Sequence, residues 1–230
     1  MDLRKLSLVA ALTLTPLAAL AQSPLNTVLS QMDAASARFK NVEADARYDE
    51  YTRVVNDHDI STGSLYVERK GAVVRMGALQ FSGDAQLKSS PARIINFDGN
   101  NLRLYTPGNN QVDVFKAGAN QAKYDSFLTL GFGGSGKDLQ SAWNITDQGA
   151  DTVAGVKTEK LDLVSKDPSV KDTFTHITIW IDPTRAISLK QIFYAPNGDN
   201  RTTTYSNIRL NGHVDEKPYN IPKGASVITH

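Results

Sequence analysis

The chain has 230 residues, 40% of them hydrophobic and 21% charged, with 25 basic and 24 acidic residues and a formal net charge of +1. That apolar content is enough for a core and excludes a disordered chain, while the length fits one domain or at most two. The even charge balance argues against a nucleic-acid binder, which needs surplus Lys and Arg to displace counterions; zero cysteines exclude disulfides, thiol nucleophiles, Fe–S clusters and thiolate zinc sites.

Arg4 and Lys5 precede an uncharged apolar run from Leu6 to Leu20, and Ala19-Leu20-Ala21 has the small-x-small form that signal peptidase cuts. The run is short for a membrane span and no basic residues follow it. It reads as a secretory signal, residues 1–21, cleaved after Ala21, with residues 22–230 forming a single domain outside the cytoplasm. Ser23-Pro24 then reads as the start of a helix, because a Pro at the first helical position loses no hydrogen bond. Leu25, Val28, Leu29, Met32, Ala35 and Phe39 follow on one helical face.

Beyond Asn41 the apolar period changes to two. Val42, Ala44, Ala46 and Tyr48 alternate with polar residues, as do Leu65 and Val67. Lys70-Gly71 leads by a turn into Ala72–Met76. Ala92–Phe97 ends in the hairpin signal Asp98-Gly99, followed by Leu102 and Leu104, the Thr106-Pro107-Gly108 turn, then Val112 and Val114. Further on, Leu161 and Leu163, then Ile177, Ile179 and Ile181, then Ile187, Leu189 and Phe193 each share a parity, and Pro196-Asn197-Gly198-Asp199 turns into Arg201–Leu210. About ten strands with short turns predict one large antiparallel sheet, which must curl. Between its halves, Lys123–Leu130 and Lys137–Trp143 read as short helices joined by a glycine-rich linker, Gly131–Gly136, expected to be a mobile hinge. The fold expected is α+β, mainly β: a half-barrel sheet with an N-terminal helix and a central helical lid around an apolar cavity.

No catalytic constellation emerges, and the chain reads as a non-enzyme without cofactor. Gly131-x4-Gly136-Lys137 begins like a phosphate-cradling loop, but position 138 is Asp where Ser or Thr must hold magnesium. The four His show no metal-ligand spacing on one element. Asp57-His58-Asp59 reads as an exposed loop between strands, and no Gly-x-Ser-x-Gly elbow is present.

Four segments in order resemble the bacterial outer-membrane lipoprotein carrier family (LolA-like), over the whole mature chain. They are the opening helix running into Phe39–Tyr48; Gly63-Ser64-Leu65-Tyr66-Val67-Glu68-Arg69; Ile95-Asn96-Phe97-Asp98-Gly99-Asn100-Asn101-Leu102-Arg103-Leu104-Tyr105-Thr106-Pro107; and Tyr219-Asn220-Ile221-Pro222-Lys223-Gly224-Ala225-Ser226-Val227. The resemblance implies a periplasmic, monomeric carrier of the acyl chains of lipoproteins, loaded from an inner-membrane ABC-type release complex and unloaded at an outer-membrane acceptor. The same fold also serves lipid or glycolipid binders and lipoprotein-sensing regulators. The resemblance further implies that Arg69, at the family's arginine position, hydrogen-bonds the lid of the empty form; the proline that often follows in the family is Lys70 here. Strand parity names the other ligand-binding candidates, Leu65, Val67, Leu102, Leu104, Ile177, Ile179, Ile181, Leu189 and Phe193, roofed by Leu29, Met32 and Phe39.

Overall fold

The computed structural model describes residues 24–71, 73–83, 90–118 and 130–230. The signal-sequence reading and the expected helix up to residue 129 fall outside these residues.

The first helix, α1 (Pro24–Ser36), begins at proline and ends three residues before Phe39. Phe39 therefore lies in the connection to the sheet and not on the helix face expected for it. Strands β1 (Asn41–Thr52) and β2 (Asp57–Lys70) form a long hairpin, with Asp57-His58-Asp59 paired to Thr52, Tyr51 and Glu50 and so part of the ladder, not a loop. The sheet continues with β3 (Val73–Ser82), β4 (Arg93–Phe97), β5 (Asn101–Thr106) and β6 (Gln111–Lys116). Helix α2 (Gly136–Ala142) then precedes β7 (Trp143–Val153) and β8 (Val156–Ser165), and the short α3 (Pro168–Lys171) precedes β9 (His176–Asp182), β10 (Ile187–Tyr194) and β11 (Asn200–Leu210). The last strand is β12 (Ser226–Thr229).

The twelve strands of the described residues join one unclosed sheet in the order β12-β6-β5-β4-β3-β2-β1-β11-β10-β9-β8-β7. Neighbours are antiparallel except β12, which runs parallel to β6. Within β1–β6 and within β7–β11 each strand pairs with the next in sequence, and the late strand β11 lies beside β1, so that the two halves fuse through one seam. The fold is α+β and mainly β, a curled sheet with few helices, as expected from strand count and turn spacing.

Register assigns the two faces. On the inner face Leu65 stands opposite Ala78, Ala78 opposite Ile95 and Ile95 opposite Leu104. Across the seam Leu161, Ile179, Gln191, Thr203 and Tyr48 form one row. The inner face is filled unequally. Over β8–β10, the helix residues Val28, Leu29, Met32, Ala35 and Leu139 pack with Leu161, Leu163, Ile177, Ile179, Ile181 and Phe193 into a solid core. Over β1–β3 a second cluster contains Val42, Ala46, Leu65, Val67, Ala78, Phe132, Ile187 and Leu189. The outer face is not bare: Tyr66, Leu79, Phe81, Ile94 and Tyr105 pack with Tyr219 of the C-terminal segment. Tyr66 and Tyr219 meet edge to face at 5.0 Å, and a Cβ at Gly77 would strike Tyr219 at 2.8 Å, so glycine there admits the tail. Among the described residues no helix is long and apolar enough to cross a membrane.

Candidate functional site

Where the helices stop covering the inner face, a cavity of about 400 Å³ opens. Its wall is drawn from six neighbouring strands, the glycine-rich segment and the residues before β9, and includes Leu65, Val67, Met76, Ala78, Ile95, Leu130, Phe132, Phe174, Phe193 and Tyr205. That size and lining match sites for small apolar ligands, typically about 300–1,000 Å³. Polar groups gather at one end: Glu50, Gln80, Arg93, Arg201 and Thr203. In the antiparallel register these are ends of β1, β3, β4 and β11 that lie on the same side of the sheet.

Arg69 lies beyond Val67 at the opposite end of β2 and does not itself line the cavity. It shares the parity of Leu65 and Val67, and it sits where β2 meets the residue before β1, its N–H donating to the Lys40 carbonyl at 2.7 Å. Its Nη1 donates to the Ser36 carbonyl at 3.1 Å and its Nη2 to the Gly133 carbonyl at 2.8 Å. Ser36 is the last residue of α1, whose terminal carbonyls lack helical partners and carry partial negative charge, so a guanidinium satisfies them well. The Ser36 hydroxyl also donates to Gly133 at 2.6 Å, and the Arg69 guanidinium lies 5.5 Å from the Phe39 ring centre. One arginine thus ties a helix end, a strand end and the glycine-rich segment together.

That segment is not the loose hinge expected from its composition. Gly131 accepts from the Ser188 N–H at 2.6 Å, Gly133 donates to the Ala186 carbonyl, and Phe132 bridges to Ile187. Gly131, Phe132, Gly133 and Gly136 are all buried. The glycines permit close approach: a Cβ on Gly133, whose φ is +75°, would meet the Phe39 ring at 2.4 Å, and one on Gly136 would meet the Leu29 carbonyl oxygen at 2.3 Å. Composition could not distinguish glycine for flexibility from glycine for contact. Asp138, which spoils a phosphate loop, is instead the partner of Ser135 in a capping box that starts α2: Ser135 Oγ accepts from the Asp138 N–H at 3.0 Å, and Asp138 accepts from the Ser135 N–H.

The buried polar groups of the wall are satisfied. Gln191 Nε2 donates to the Leu130 carbonyl, and Gln191 Oε1 accepts from the Tyr205 hydroxyl at 3.1 Å. Tyr205 also meets Phe132 edge to face at 4.8 Å. Burial pushes the Tyr48 phenol up to about 12, against the opposing pull of the Arg201 guanidinium. Burial also raises the Tyr205 phenol, with Tyr48 adding to it. Both phenols stay neutral, so neither offers charge to a ligand.

Of the candidates read from parity, Leu65, Val67 and Phe193 line the cavity; Arg69 does not, but bonds the Gly133 carbonyl beside the lining residue Phe132. Ile177, Ile179, Ile181, Leu29 and Met32 do not line it; they fill the solid core under α1, each less than 5% exposed. Leu189 is buried in the second cluster without reaching the cavity wall, and Phe39 packs beside Gly133. Leu102 and Leu104 stand on the inner face two strands beyond β3, half-buried and outside this wall. Parity named the inner face of β2, β5, β9 and β10, but not which stretch of that face the helices cover; on β6 the alternating Val112 and Val114 belong to the outer cluster. Tyr48, Ile95, Phe132, Gln191, Arg93, Arg201 and Tyr205 were missed as site residues. Tyr48 and Ile95 had the right alternation; Gln191 and the arginines broke the apolar pattern that selected the rest.

By sequence the chain matches no family model and no curated protein. By structure it is similar to an uncharacterized conserved protein from Thermus thermophilus, with a TM-score of 0.54 at 11% identity over 89% of this chain and 98% of that one. It is also similar to MucB, with a TM-score of 0.52 at 13% identity, covering 90% of this chain and 66% of that one. The chain shares their fold. A third match is to the Pseudomonas aeruginosa MucA/MucB complex, with a TM-score of 0.50 at 15% identity over 90% of this chain and 64% of that one. The chain therefore spans about two thirds of MucB's length.

Proposed function

We propose that this protein binds acyl chains in its half-barrel cavity and works as a periplasmic carrier, taking the lipid anchors of lipoproteins from the inner to the outer membrane. One observation carries the reading: an apolar cavity of about 400 Å³ on the concave face, with Phe132 in its wall next to Gly133, whose carbonyl an arginine holds. Each buried methylene is worth about 0.8 kcal/mol to a lipid anchor, so acyl chains cross water only inside a comparable apolar site. A carrier must also release its load. If ligand entry displaces the Phe132 segment, the Arg69 hydrogen bonds are lost on loading and regained on unloading, which lowers the net affinity to a transferable level. The segmental resemblance to lipoprotein carriers supports the same assignment, with an ABC-type release complex as donor and an outer-membrane protein as acceptor. No catalytic step or cofactor is assigned.

A second reading is favoured by the likeness to MucB, whose structure in complex with MucA is known: a lipid-responsive regulatory module that uses the cavity as a sensor. Mass spectrometry of the protein purified from its own periplasm tests both. Co-purifying acylated polypeptide supports the carrier, a free lipid together with a stoichiometric protein partner supports the sensor, and an empty cavity that takes up no acyl ligand overturns both.

A further inference from the structure

The open end of the cavity has a charge pattern that the carrier reading does not use. Arg75, Arg103, Arg185 and Arg209 each sit within 4 Å of a carboxylate. Among the described residues Arg93 and Arg201 have no such partner, yet both line the cavity and both are exposed at its polar end. Arg201 keeps one face over the Phe193 ring, 5.4 Å from its centre, so the guanidinium stays beside the apolar wall. A smaller cleft of about 250 Å³ continues outward from this end and shares Glu50, Phe174, Phe193 and Arg201 with it. The carboxylate of Asp199 in that cleft is already engaged, accepting from the Arg53 N–H at 2.8 Å and from Asn197 Nδ2 at 2.7 Å. Glu50 stands opposite Arg201 in the β1–β11 ladder without forming an ion pair with it. The cavity's own lining thus carries two guanidinium groups against one carboxylate, Glu50, while Asp199 keeps its charge in the outer cleft, where the Arg53 side chain lies at the same turn, its Nε donating to the Asn197 carbonyl at 2.9 Å.

We propose that this mouth is an anion site: Arg93 and Arg201 receive a phosphate or carboxylate attached to the polar end of the bound acyl chain. The inference rests on the acyl-binding reading and adds the class of ligand, an anionic amphiphile. Arginine suits the task because its fixed fork of donors matches both oxyanions and remains charged at every physiological pH. Glu50 opposes the anion and so tempers its affinity.

Calorimetric titration of the full chain with monododecyl phosphate, laurate, the neutral 1-O-dodecylglycerol and inorganic phosphate tests this. Monododecyl phosphate should bind about tenfold more tightly than the neutral ether, as expected for charge-assisted hydrogen bonds at an exposed rim, and the advantage should shrink as salt rises. If laurate matches the phosphate, the site reads charge alone; if it binds more weakly but still above the ether, the site favours the phosphate's additional oxygen. In the Arg93→Gln, Arg201→Gln double variant the ratio of phosphate to ether affinity should fall to about one, while Glu50→Gln should widen it. Circular dichroism of each variant establishes that the sheet is intact. Equal binding of ether and phosphate by the native chain overturns the anion site and leaves acyl binding standing. So does a preference that survives in the double variant, or inorganic phosphate binding as tightly as the dodecyl ester. Failure of every dodecyl ligand to bind overturns the anion site and the acyl-binding reading together.

Discussion

Arg69 shows how one side chain can join three elements. Its guanidinium spans the last carbonyl of α1 and the carbonyl of Gly133, and hydrogen bonds to a charged donor contribute about 1.5–3 kcal/mol each when partly buried. Arg69→Leu should fold, since leucine extends the apolar parity of Leu65 and Val67, and should still take up an acyl ligand. It should fail to hand a fluorescent lipopeptide to acceptor membranes, because the empty form no longer regains those bonds; transfer at the native rate would refute the latch. Gly133 is the matching test of contact against flexibility. Gly133→Ala places a methyl into the Phe39 ring at a φ of +75°, and should cost about 1–3 kcal/mol in urea unfolding. A flexible linker would tolerate the same change at no cost.

At the scale of an element, the β4–β5 hairpin carries its own electrostatic clamp. Burial alone would raise the Asp98 carboxyl, but hydrogen bonds from the Asn100 and Asn101 N–H groups and from Arg103 outweigh it and lower the group to about 2 from an ordinary 3.8. A carboxyl depressed in the folded state stabilises it fully above the unfolded value, and that contribution is lost as pH falls from about 4 toward 2. Asp98→Asn should therefore flatten the acid limb of stability in this window, measured by thermal unfolding across pH, with little pH dependence of the difference above pH 5. An unchanged acid limb would show that the clamp is not holding the hairpin. The signal was readable beforehand, since Asp-Gly after an apolar run marks a hairpin; that the turn also orders Arg103 was not, because that contact depends on where the next strand returns.

Taken as a whole, the sheet has one filled half and one hollow half. Ile179 and Ile95 are both inner-face isoleucines, yet Ile179 is fully buried under the helices and Ile95 borders the cavity. Truncation in a solid core costs both transfer and cavity energy, whereas a side chain beside an existing void loses fewer contacts. Ile179→Ala should destabilise by about 3–4 kcal/mol, and Ile95→Ala by about 1 kcal/mol, in denaturant unfolding without ligand. A saturating acyl ligand should stabilise the native chain by mass action and the Ile95→Ala chain less, because that wall has receded. Equal costs for the two substitutions would mean that the cavity is filled by protein in solution.

Strand parity, hairpin signals and the switch from helical to alternating periodicity specify most of this fold, because each is set by residues a few positions apart. They specify a curled antiparallel sheet, an opening helix and the inner-facing side of β2, β5, β9 and β10, including Leu65, Val67 and Arg69. The parallel docking of β12 on β6 and the burial of Tyr66 beneath Tyr219 could not be read locally, since both depend on where the C-terminal segment returns. Nor could the division of the inner face. Ile177, Ile179 and Ile181 have the same alternation as Leu65 and Val67, and only the path of α1 and α2 over the sheet decides which isoleucines become core and which residues line a cavity. The glycines of Gly131–Gly136 follow the same rule: their number suggested freedom, and the side chains brought against them in three dimensions make them contacts.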